Sequence, residues 1–97
     1  MKRKDALAAL KAERDRLGRD YGVKSLALFG SVARDEATAA SDVDLLVEFD
    51  RPIGLLGLFA LQDDLEQLLG CSVDLGTPNS LKPRMRNRVM AELVYVN

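Results

Sequence analysis

The chain has 97 residues, a net charge of −1 and a hydrophobic fraction of 47%, which suffices for the core of one small domain, residues 1–97. It has no histidine and a single cysteine, Cys71, so histidine-based general bases, catalytic triads, the usual zinc sites and an internal disulfide are excluded. The near-neutral charge argues against direct nucleic-acid binding. With no signal-like segment near Met1 and no long apolar run, the expectation is a cytoplasmic protein without membrane contact.

In chain order, residues 3–21 read as one amphipathic helix. Leu7, Leu10, Leu17 and Tyr21 fall at helical spacing, charged residues fill the other faces, and Gly22 is a stop signal. Lys2-Arg3-Lys4 is read as a solvated end, of the wrong sign for the helix dipole and predicted to fray. Val23 to Phe29 reads as a strand, Ser31 to about Arg34 as a short helix, and residues 35–41 as a polar loop. If the backbone at Asp35 needs a positive φ, Asp tolerates it better than most residues, though less well than Gly. Asp42 to Phe49 is a second strand, ended by Asp50-Arg51-Pro52.

Residues 54–69 are predicted as a second long helix. Its apolar stripe is Leu55, Leu58, Leu61, Leu65, Leu68 and Leu69, which covers one face of a sheet, while Asp63, Asp64, Glu66 and Gln67 face outward. Gly70 ends it, Cys71 reads as a small buried hydrophobe, and Ser72 to Leu75 forms a third strand. Pro83 opens a last helix running to about Leu93, with Met85, Val89 and Leu93 inward. Tyr95-Val96-Asn97 is either the end of that helix or a short edge strand. The fold class is α/β: a small mixed sheet flanked by helices.

The chemistry lies in residues 24–49. Asp42 and Asp44 are two apart, so on an extended strand they share one face. Adjacent carboxylates repel unless a cation sits between them, and hard oxygen ligands suit Mg²⁺ held together with substrate phosphate oxygens. Gly30-Ser31 stands where a strand hands over to a helix, where backbone N–H groups favour phosphate and glycine permits close approach. The segment therefore combines a phosphate cradle with a metal clamp and points to phosphoryl or nucleotidyl transfer. Asp74, centred in an apolar strand, reads either as an edge or arginine-paired residue or as a third acid of the same site. Lys82, Arg84, Arg86 and Arg88 read as solvated helix charge, a triphosphate clamp, or a docking surface for an acidic partner.

Gly30-Ser31 followed after ten residues by Asp42-Val43-Asp44 resembles the signature of the DNA polymerase β-type nucleotidyltransferase superfamily. The words Leu-Phe-Gly-Ser-Val-Ala-Arg and Ser-Asp-Val-Asp-Leu-Leu-Val resemble its smallest branch, the minimal nucleotidyltransferases (MNT), usually antitoxins paired with HEPN toxins. The resemblance implies a polymerase β-like core and a protein adenylyltransferase that moves AMP from ATP to a hydroxyl, a tyrosine's, of a partner HEPN RNase toxin. It implies two Mg²⁺ ions, with Asp42, Asp44 and Asp74 as metal ligands and catalytic residues. Asp42 and Asp44 would hold both ions and the nucleotide, and Asp74 would hold the ion that activates the acceptor hydroxyl and take its proton. Gly30 and Ser31 would meet the phosphates. So short a chain lacks room for an acceptor domain, so the partner is expected to present the hydroxyl. Two other readings stay open: a non-catalytic antitoxin that occludes its toxin, and transfer to a small molecule such as an aminoglycoside.

Overall fold

The structure, a computed structural model, describes residues 1–96. The two apolar runs beside the glycine-serine turn form its central strands, β1 (Val23–Phe29) and β2 (Val43–Phe49), which pair antiparallel. β3 (Val73–Gly76) adds in parallel to β2 and β4 (Val94–Tyr95) antiparallel to β1, giving the order β3-β2-β1-β4. The sheet is mixed, as expected, and Tyr95 lies in an edge strand; Asn97 lies outside the described residues.

Alternation along the strands sends Leu26, Leu28, Val43, Leu45, Val47 and Val73 to one face, where helices bury them. The cover comes from α1 (Arg3–Ala12), α2 (Arg14–Tyr21) and α4 (Gly54–Leu69), through Ala6, Leu10, Leu17, Leu61, Leu65 and Leu69. The short α3 (Gly30–Ala33) joins β1 to the loop before β2. α5 (Pro83–Ala91) precedes β4 and buries only Val89. Val89, Ala27 and Leu46 are buried outside the main core cluster.

Several local expectations are corrected. The predicted helix over residues 3–21 breaks at Glu13 (φ −109°, ψ 6°), whose amide bonds back only three residues, to the Leu10 carbonyl at 3.2 Å. The second piece is set by side chains: Arg16 grips Asp64 of α4 through two bonds of 2.8 Å, and the Tyr21 hydroxyl donates to Asp64 at 2.7 Å. Asp64 thus faces inward rather than out. Glu66 does too, accepting the Val73 amide at 2.9 Å while Gln62 donates to the Val73 carbonyl at 3.0 Å.

Arg3 is not a loose end. Its amide donates to Asp35 Oδ1 at 3.1 Å and its guanidinium to the Ala33 carbonyl at 3.0 Å. Asp35 does adopt a positive φ, +59°, the one non-glycine to do so among the described residues. Leu55, predicted inward, is 66% exposed, and Met85 is 47% exposed. Both lie in the first turns of their helices. Cys71 is half-buried against the core and makes no disulfide.

Candidate active site

The sheet face opposite the main helical core carries the acids. β1 ends at Phe29, which is extended, and the chain turns sharply at Gly30, φ +73°. That conformation disfavours side chains, and a Cβ here would also run into the carboxylate of Asp44. Asp44 pairs in register with Phe29 on one side and with Asp74 on the other. Aligned residues of a sheet point to the same face, so Asp44 and Asp74 lie side by side, and Asp42, two residues before Asp44, extends the same edge.

Burial raises the Asp44 carboxyl to about 6, with the negative charges of Asp74 and then Asp42 adding to the effect. Among the described residues, Asp42, Asp44 and Asp74 have no hydrogen-bond or salt-bridge partner, whereas elsewhere the half-buried acids Asp64 and Glu92 are bonded to arginines. No group of three or more acidic or cysteine side chains there is drawn close enough to form a finished metal cage. A catalytic Mg²⁺ takes only one or two carboxylates and completes its shell with water and phosphate oxygens. The all-oxygen donor set, its excess negative charge and its free lone pairs fit such an ion.

Ser31 lies inside α3 as its second residue rather than capping it; the cap position is Phe29, which offers no side-chain bond. The Ser31 hydroxyl has no hydrogen-bond partner among the described residues, and the first amides of a helix lack intrahelical partners. The Gly30 amide is already engaged: it donates to Glu92 Oε1 at 3.2 Å.

Two residues that the motif reading passed over stand at this turn. Arg34 Nη1 donates to both carboxylate oxygens of Glu92 at 3.3 Å, and its Nε to Glu36 at 3.2 Å. Arg34 is the cation whose charge reaches Asp44 and favours its ionised form. A signal for it existed, since Arg34 is the only cation between Lys24 and Arg51. Glu92 carried no such signal, because it lies 62 residues from Gly30 in the chain. Lys82, Arg84, Arg86 and Arg88 are all exposed and have no hydrogen-bond or salt-bridge partner among the described residues.

A sheet with paired acids beside a glycine-serine turn is the plan of a nucleotidyltransferase core, and residues 10–96 match the nucleotidyltransferase domain family. The chain belongs to that family. It is 42% identical to the protein adenylyltransferase MntA of Thermococcus cleftensis over 87 residues, 90% of this chain and 88% of the relative. A solved minimal nucleotidyltransferase superposes with a TM-score of 0.80 at 38% identity, covering 97% of this chain and 95% of the other. The fold also matches, at TM-score 0.65 and 19% identity, a chain of the complex between a tri-AMPylated Shewanella oneidensis HEPN toxin and its MNT antitoxin, covering 94% of this chain and 71% of that one.

Proposed function

We propose that this chain is a cytoplasmic, Mg²⁺-dependent protein adenylyltransferase that moves AMP from ATP onto a tyrosine hydroxyl of a partner HEPN RNase toxin and thereby acts as its antitoxin. The observation that carries the reading is the alignment of Asp44 with Asp74 next to the Gly30 turn, neither of them in a salt bridge among the described residues. The names borne by the relatives, adenylyltransferase and antitoxin, support the choice of nucleotide and partner.

In this reading Asp42, Asp44 and Asp74 would hold two Mg²⁺ ions, which would supply Lewis-acid stabilisation of developing charge. The Ser31 hydroxyl and the free amides of α3 orient the triphosphate. Asp74 takes the proton of the acceptor hydroxyl. The acceptor oxygen bonds to the α-phosphorus, the bond to the bridging oxygen breaks, and pyrophosphate leaves. In this reading the partner toxin supplies the acceptor side chain.

The test is incubation of the chain with ATP, Mg²⁺ and the HEPN protein, followed by mass spectrometry of the latter. AMP on a tyrosine is expected, and it should fall below detection when Asp42 and Asp44 are both replaced by Asn. Neutralisation of a co-expressed toxin by that double variant would favour plain occlusion instead.

A further inference from the structure

At the Gly30 turn, one carboxylate from the far end of the chain serves two donors. Glu92 Oε1 accepts the Gly30 amide at 3.2 Å and Arg34 Nη1 at 3.3 Å, and Glu92 Oε2 accepts the same Nη1 at 3.3 Å. Glu92 is the C-cap of α5, two residues before β4, whose Val94 and Tyr95 pair with Leu28 and Ala27 of β1. Its backbone is therefore fixed beside the end of the strand that leads into Gly30. Its side chain is 24% exposed, that of Arg34 39%.

We propose that Glu92 is a positioning residue for the nucleotide. It anchors the Gly30 amide and the Arg34 guanidinium together, so that the turn stays pressed against Asp44 and a positive charge stays beside the acids before any nucleotide arrives. This rests on the nucleotidyltransferase reading above and adds a residue that the Gly-Ser and Asp-x-Asp motifs do not contain.

Two observations carry it. Gly30 and Asp44 are so close that the glycine has no room for a side chain, so any relaxation of the turn alters the neighbourhood of Asp44. Among the described residues α3 has no side-chain cap, and apart from Glu92 no side chain hydrogen-bonds the backbone of its first residue. A partly exposed ion pair adds little to global stability. Its effect here is local, since order made in advance is order the ligand need not create on binding.

The test compares the unaltered chain with Glu92→Ala and Glu92→Gln, each shown to be folded by circular dichroism and thermal melting. Calorimetric titration with Mg²⁺ and AMP-PNP gives the dissociation constant without any turnover. Gln keeps an acceptor oxygen for both donors, whereas Ala removes it. Weakening by about tenfold in Glu92→Ala, with Glu92→Gln within about threefold of the unaltered chain, is the expected result. A folded Glu92→Ala chain that binds as tightly as the unaltered one overturns the proposal, because a merely structural link changes melting and leaves affinity alone. Tighter binding by both variants also overturns it, by making Glu92 a competitor of the triphosphate. No binding by the unaltered chain would sink the nucleotidyltransferase reading itself, and this proposal with it.

Discussion

Gly30 is where backbone conformation and chemistry meet. Its φ of +73° costs an alanine about 1–2 kcal/mol, and the missing side chain is what allows the Asp44 carboxylate to lie against the turn. Gly30→Ala is therefore expected to fold with reduced stability and to lose AMP transfer by on the order of 10²-fold, the scale of a misplaced reacting group. Single-turnover rates on a folded sample would check this. A rate unchanged by the substitution would mean that Asp44 does not depend on the turn. At this scale much was legible in the sequence. The glycine, the serine and the acids two apart declared themselves through residue type and spacing. Their protein neighbours did not: the Asp44 carboxylate lies against the glycine, and Glu92 accepts its amide.

Among the elements, β3 is the one whose placement decides the third acid. It has four residues, and α4 holds it through both backbone polar groups of Val73, with Glu66 accepting from the amide and Gln62 donating to the carbonyl. These two side chains lie four apart on the helix and so share a face. The next residue along the strand is Asp74. Replacing Glu66 by Ala leaves the buried Val73 amide without its partner, at a cost of about 1–3 kcal/mol. Such a chain is expected to unfold at lower denaturant concentration and to transfer AMP more slowly. Equal midpoints for the two chains in a urea titration would contradict it. The strand itself was visible in the sequence as an apolar run around an aspartate, but its attachment was not. Helical periodicity sent Glu66 outward because it scores polar residues as solvent-facing, and a charged side chain that satisfies a neighbouring strand looks the same in sequence as one that meets water. The break at Glu13 was hidden for a similar reason, since the apolar positions on either side keep one continuous helical rhythm.

Across the molecule, the helical layer is tied together by Arg16, Tyr21 and Asp64 as well as by leucines. The bonds from Arg16, then from Tyr21, hold the Asp64 carboxyl below its ordinary range against the opposing effect of burial. A carboxyl depressed in the folded state adds stability that is fully present above its unfolded value. That stability is lost as the pH falls through the folded value. Thermal melts of the unaltered chain and Asp64→Asn should thus differ most near neutrality and converge as the pH drops below about 4. A gap that stayed constant with pH would show that the charge of Asp64 plays no part. The overall architecture was readable from the order of apolar runs and glycine stops, and the sheet came out mixed as expected. What the pattern could not supply were contacts between residues far apart in the chain, of which the link from Arg16 to Asp64 and that from Gly30 to Glu92 are the clearest cases.

The sheet is also narrow at its rims, four residues at β3 and two at β4. Long bare rims invite foreign strands to add on through their main chain. Rims this short give an incoming strand almost no ladder to extend, so whatever docks on this protein must read its side chains, which vary in sequence, rather than its main chain, which does not.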